Sequence, residues 1–223
     1  MPYPHILPFL TDLAANNDRI WFANNHARYE LVQAETLDFT AALISQIAAF
    51  DPDIRYLQPK ECLFRIYRDI RFSPNKLPYK NHIGIYIAAN GGRKSIRSGY
   101  YVHLQPAECN ISSGVWCPDA KQTKHFRSVI DTEYAELQHI MSSTDFSRLF
   151  GGDFVDFGNS LKSLPAGYKA DHPALNWLKK RQWVVSHHFE DSMLDSNNLI
   201  DYLTTAAHTL LPFCQWCNSA MFE

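Results

Sequence analysis

Two hydrophobic periods alternate along the chain. Near the N-terminus Leu37, Ala41, Ile44 and Ala48 are spaced by 4, 3 and 4 residues, the stripe of an amphipathic helix. Asn16-Asn17-Asp18 supplies N-cap chemistry ahead of it, and Asp51-Pro52 stops it after Phe50, because proline disfavours helical backbone in the residue before it. From Cys62 to Cys117 the period falls to two, in the runs CLFRIYRDIRF, HIGIYIAA, GYYVHLQP and NISSGVWC. The connections between these runs are too short for crossover helices and predict an antiparallel meander. After Pro118-Asp119 the helical period returns with Phe126, Ile130, Leu137 and Met141, and Asp119 is a cap. A last helix is expected from about Asn197, with Leu199, Leu203, Ala206 and Leu210 on one stripe and Pro212 kinking or ending it. Phe146 to Glu190, punctuated by Gly151-Gly152, Pro165, Gly167 and Pro173, reads as loops and short helices. The prediction is an α+β fold: an antiparallel sheet of about four or more strands over residues 62–117, packed on one face by long amphipathic N- and C-terminal helices. No repeat or linker divides residues 1–223, so one domain is expected.

Alternation also sorts the candidate chemistry. In the first run Phe64, Ile66, Ile70 and Phe72 point one way, and Arg65, Tyr67, Asp69 and Arg71 the other. His82, Gly84 and Tyr86 in the second run and Tyr101, His103 and Gln105 in the third take the polar side, with Ser112 and Gly114 in the fourth. Large polar residues beside small ones leave a concavity, and guanidinium forks suit carboxylate or phosphate. Between Arg65 and Lys80 five basic residues, among them Lys76, face the single Asp69. The predicted ligand-binding residues for a small anion are therefore Arg65, Arg71, Lys76, Lys80, Tyr86 and Tyr101. In an enzymatic version His82 or His103 transfers the proton and Asp69 orients a neighbour. The same alternation also fits a solvated face of cross-strand pairs, and an Arg- and Tyr-rich face equally suits a protein partner.

Composition narrows the partners. With 21 Lys+Arg against 23 Asp+Glu, the net charge of -2 gives no global field for a nucleic-acid backbone. No window has the run of apolar residues that spans a membrane, and the first twenty residues lack the pattern of a signal peptide, so a soluble cytoplasmic protein is expected. The five cysteines do not form a disulfide scaffold, and Cys214 and Cys217, although spaced as CxxC, fall within a predicted helix as packing residues. His187-His188 with Glu190, or His82 with His103, lacks a third metal ligand, and no nucleotide or hydrolase motif is present, so no cofactor is predicted. Asp171-His172-Pro173 reads as a helix cap.

The segments FRIYRDIRFSPNKLPYKNHIG, GYYVHLQP, SGVWCP and LKSLPAGYKADHP, together with the opening FLTDLAANNDRIWFANNHARYE, resemble the bacterial and fungal family called domain of unknown function 2461, from about Phe9 to Leu211. The resemblance implies that Arg65, Arg68, Asp69, Arg71, Lys80 and His82 match the family signature, as do His103 and Trp116. It implies no activity and no roles for them.

Overall fold

The computed structural model describes residues 2–222. Helices α1 (Ile6–Ala15), α2 (Arg19–Asn24), α3 (His26–Ile47) and α4 (Pro59–Cys62) precede strands β1 (Ile83–Ile87), β2 (Tyr100–Leu104) and β3 (Asn110–Val115). Helices α5 (Ala120–Thr132), α6 (Tyr134–Ser142), α7 (Thr144–Phe150) and α8 (Leu175–Leu178), strand β4 (Trp183–His188) and helix α9 (Leu199–Phe222) follow. The strands form one sheet in the order β1-β2-β3-β4, which makes the fold α+β.

Three of the four predicted runs are strands; CLFRIYRDIRF is not. Leu63 makes an isolated bridge to Ile85, and Tyr67 then bridges to Tyr79 twelve residues on, so the segment turns back on itself across Pro74 and Pro78 instead of extending the sheet. Ile66 is buried as expected, but Phe72 is 93% exposed, because alternation beyond Tyr67 no longer has a sheet to face. The fourth strand is β4, within the stretch read as loops and short helices.

The contacts of the chain fall into two compact units, one built from residues up to Ser95 with Tyr100–Ile111 and His188–His208, the other from Ile96–Gly99, Ser112–His187 and Thr209 onward. In the first, Asp18 caps α2 by accepting from the Ile20 and Trp21 amides, as its sequence position predicts. The single long N-terminal helix expected is instead interrupted at Asn25. The buried stripe of α3 is Val32, Thr36, Phe39, Leu43, Ile44 and Ile47, whereas Ala41 is exposed. Thr36 and Thr40 bury their hydroxyls by donating to the carbonyls one turn earlier. Asn17 fastens the returning segment: its side chain accepts from the Tyr79 amide and donates to the Tyr79 carbonyl, both at 3.0 Å, while the Tyr79 ring stacks on Phe22 at 4.1 Å.

In the second unit Asp119 and Gln122 close a capping box at the start of α5. Phe126, Ile130, Leu137 and Met141 are all buried, although Glu133 breaks the segment into α5 and α6. Phe126 packs on Trp183 at 4.7 Å and on Trp216 at 5.5 Å. Helix α9 does not end at Pro212 but continues through it. A proline inside a helix costs roughly 3 kcal/mol, and the burial of Phe213, Trp216 and Cys217 just beyond it offsets that loss.

Candidate functional site

Strands β1 and β2 pair antiparallel with Ile83 opposite Leu104, Gly84 opposite His103, Ile85 opposite Val102 and Tyr86 opposite Tyr101. The period-two reading thus has the faces right: Ile85, Ile87, Tyr100, Val102 and Leu104 are buried, and the half-buried Tyr101 and His103 share the opposite face. Gly84 leaves room there for the side chains of Tyr101 and Phe64. A Cβ on it would lie 2.9 Å from the Tyr101 hydroxyl and 3.1 Å from Phe64.

On this face His82 and His103 stack, ring centres 4.5 Å apart and planes 30° from parallel. Gln105 Oε1 lies 3.2 Å from His103 Nε2 and accepts its proton. His103 Nδ1 is then left to accept from the Tyr101 hydroxyl at 2.9 Å. Both nitrogens of His103 are therefore engaged within the face. Burial pushes the Tyr101 hydroxyl up to about 12, so it stays a donor. Burial, then His103, then Lys80 bring His82 down to about 4. His103 is lowered as well, chiefly by burial.

These shifts set a pH dependence. The unfolded chain takes up protons on His82 below its ordinary 6.5, which the folded face resists until about 4. Stability is therefore intact above about pH 6.5 and declines as the pH falls towards 4. Urea unfolding at stepped pH is expected to show this decline, and His82→Gln to flatten it; an unchanged slope in the variant would show that His82 is not its source.

The other candidates separate. Arg65 and Lys80 stay with the cluster: Lys80 Nζ lies 5.5 Å from the Phe64 ring centre, and its pKa is lowered by burial and then by Arg65. Arg71 and Asp69 do not join it. They form a two-pronged ion pair with each other, Nη2 to Oδ2 at 2.7 Å and Nε to Oδ1 at 3.0 Å, on an exposed turn. The Arg71 guanidinium holds the Asp69 carboxyl below its ordinary range. Lys76 donates to the Ile70 carbonyl at 3.0 Å and borders a separate cavity of about 550 Å³ with Asn17, Arg19 and Leu77. Arg68, in the same segment, donates to the Leu77 carbonyl at 3.1 Å. Three of the five basic residues of the positive centre read from the sequence, Arg68, Arg71 and Lys76, thus hold a loop together. Asp69, committed to Arg71, orients neither histidine.

A feature that the sequence reading missed lies in the second unit. A cavity of about 900 Å³ is bordered by Lys124, Arg127 and Arg181, with Asp131 as its one carboxylate and Tyr168 beside it. Cys117 and Pro118 form one part of the wall and residues 165–168 another. Two of the segments that carry the family resemblance, SGVWCP and LKSLPAGYKADHP, therefore meet at this cavity, and that was the available signal. Within the second of them His172, rather than Asp171, does the local work: its Nδ1 accepts from the Ala174 amide at 2.9 Å, which leaves Nε2 to donate to Asp131 at 2.7 Å.

The five cysteines form no disulfide; Cys62, Cys109, Cys214 and Cys217 are buried, and Cys117 is exposed. No described helix is long and apolar enough to cross a membrane, and the described residues contain no cluster of three or more metal-ligating side chains. The family model for domain of unknown function 2461, described as a conserved hypothetical protein, matches residues 5–216. No curated protein and no solved structure matches the chain.

Proposed function

Because the chain belongs to the domain of unknown function 2461 family, whose description names no reaction, we propose from its own side chains that it binds a small anion, phosphate or carboxylate, on the polar face of β1 and β2. Lys80 carries this reading. Its ammonium is half-buried, Arg65 lowers its pKa further, and among the described residues no carboxylate pairs with it. A cation held out of water beside a second cation is relieved by an anion more than by any other ligand. In an enzymatic version His82, neutral at physiological pH, is the proton acceptor. Five cysteines without a disulfide suit a reducing, cytoplasmic setting.

The test is thermal unfolding with inorganic phosphate and with succinate. A ligand at a hundred times its dissociation constant adds about 2.7 kcal/mol, which raises the melting temperature of a chain this size by roughly 5 to 10 °C. The rise is expected to vanish in Lys80→Met and to survive in Arg71→Ala, whose guanidinium is already paired. Loss in Arg71→Ala with retention in Lys80→Met would reject the site.

A protein partner is the second reading, favoured by Phe72 at 93%, Tyr67 at 49% and Leu77 at 45% exposure along the arginine-rich segment. Under it, neither anion raises the melting temperature of the native chain.

A further inference from the structure

We propose that the 900 Å³ cavity of the second unit is a separate binding site for a phosphomonoester small molecule. Its volume lies within the roughly 300–1,000 Å³ of small-molecule sites. Three cations, Lys124, Arg127 and Arg181, face one carboxylate, Asp131, which leaves a surplus of two positive charges. The carboxylate is also already engaged by His172.

Arg127 is the centre of the argument. Its guanidinium lies 5.8 Å from the Trp183 ring centre, and one terminal nitrogen donates to the Lys180 carbonyl at 2.9 Å. Its Nε is buried without a hydrogen-bond partner, and so is Oε1 of Gln182, which also borders the cavity. The described residues contain four such atoms, and two of them belong to this wall. Burial lowers the pKa of Arg127 and Arg181 lowers it further, with only the Tyr168 hydroxyl acting the other way. A half-buried guanidinium without a carboxylate, next to a second guanidinium, is an unfavourable arrangement unless an anion completes it.

The surplus charge favours phosphate over a single carboxylate. A phosphomonoester carries close to two negative charges near neutrality and presents three acceptor oxygens, which suits two guanidinium forks and an ammonium. Pro118, Leu161, Pro165 and the ring of Tyr168 give its organic part an apolar wall. The site shares no residue with the face of β1 and β2 and does not depend on that reading.

Phenyl phosphate titrated calorimetrically into the intact protein at low salt tests the proposal, with phenol as the uncharged control. Binding is expected for phenyl phosphate and not for phenol. Arg181→Gln and Lys124→Gln, both at exposed positions whose replacement leaves the core untouched, are each expected to weaken it about ten-fold or more, the effect of losing one charge-assisted hydrogen bond. Lys80→Met is expected to leave it unchanged. Circular dichroism confirms that each variant is folded. Absence of binding to the native chain, native affinity retained in both cavity variants, or loss in Lys80→Met alone would overturn the proposal.

Discussion

Replacing Gly114 with alanine is expected to destabilise the protein by more than about 4 kcal/mol, at the far end of what single substitutions do. Gly114 sits at φ +133°, which L-residues rarely adopt, and a Cβ there would lie 2.0 Å from the Trp183 carbonyl oxygen and 2.9 Å from the Val184 Cα. Both obstacles are backbone of the neighbouring strand, so no rotamer change makes room. Gly151 is the control: it too has a positive φ, +76°, but a Cβ on it meets nothing within 4 Å, so Gly151→Ala should cost only the left-handed backbone penalty of about 1–2 kcal/mol. Urea unfolding of the two variants separates close approach from conformation. A Gly114→Ala protein no less stable than Gly151→Ala would mean that β3 and β4 do not approach as described.

The second large effect is expected at Trp183, which is fully buried. Trp183→Ala should cost about 3–5 kcal/mol. It empties the space against Phe126 and leaves the Trp177 carbonyl without the indole N–H that donates to it at 2.9 Å. The same ring lies under Arg127, so the substitution also removes a support of the cationic wall. Unfolding followed by near-ultraviolet circular dichroism reads both losses. A change below about 1 kcal/mol would contradict the core placement of this side chain.

How much of this could be read from the sequence depended on whether each signal was periodic. The two faces of β1 and β2 were legible because Ile83, Ile85 and Ile87 in one strand and Tyr100, Val102 and Leu104 in the other recur with period two. The Asp119 cap and the Phe126, Ile130, Leu137 and Met141 stripe were legible for the same reason. Strand β4 was not, because Trp183, Val184 and Val185 are buried consecutively, and a short unbroken apolar run has no period. The segment after Leu63 failed the opposite way: its alternation is genuine, but Pro74 and Pro78 turn it back towards Tyr67.

The candidate sites divide along the same line. His82, Tyr101 and His103 were brought together by strand alternation, and they do meet. Arg71 and Asp69, two residues apart, were placed on the same face by that alternation, yet such neighbours pair with each other as readily as they reach a ligand. The second cavity draws on a helix face at Lys124 and Arg127 and on loops around Tyr168 and Arg181. No local pattern joins residues so far apart along the chain.

The most direct test of the central claim, that a half-buried and uncompensated Lys80 makes the polar face of β1 and β2 an anion site, is an amide chemical-shift map recorded while inorganic phosphate is titrated into the isotope-labelled protein. The account predicts saturable shifts centred on Lys80, His82, Tyr101 and His103. Shifts absent from these residues, or confined to the Arg71 and Lys76 turn, would contradict it.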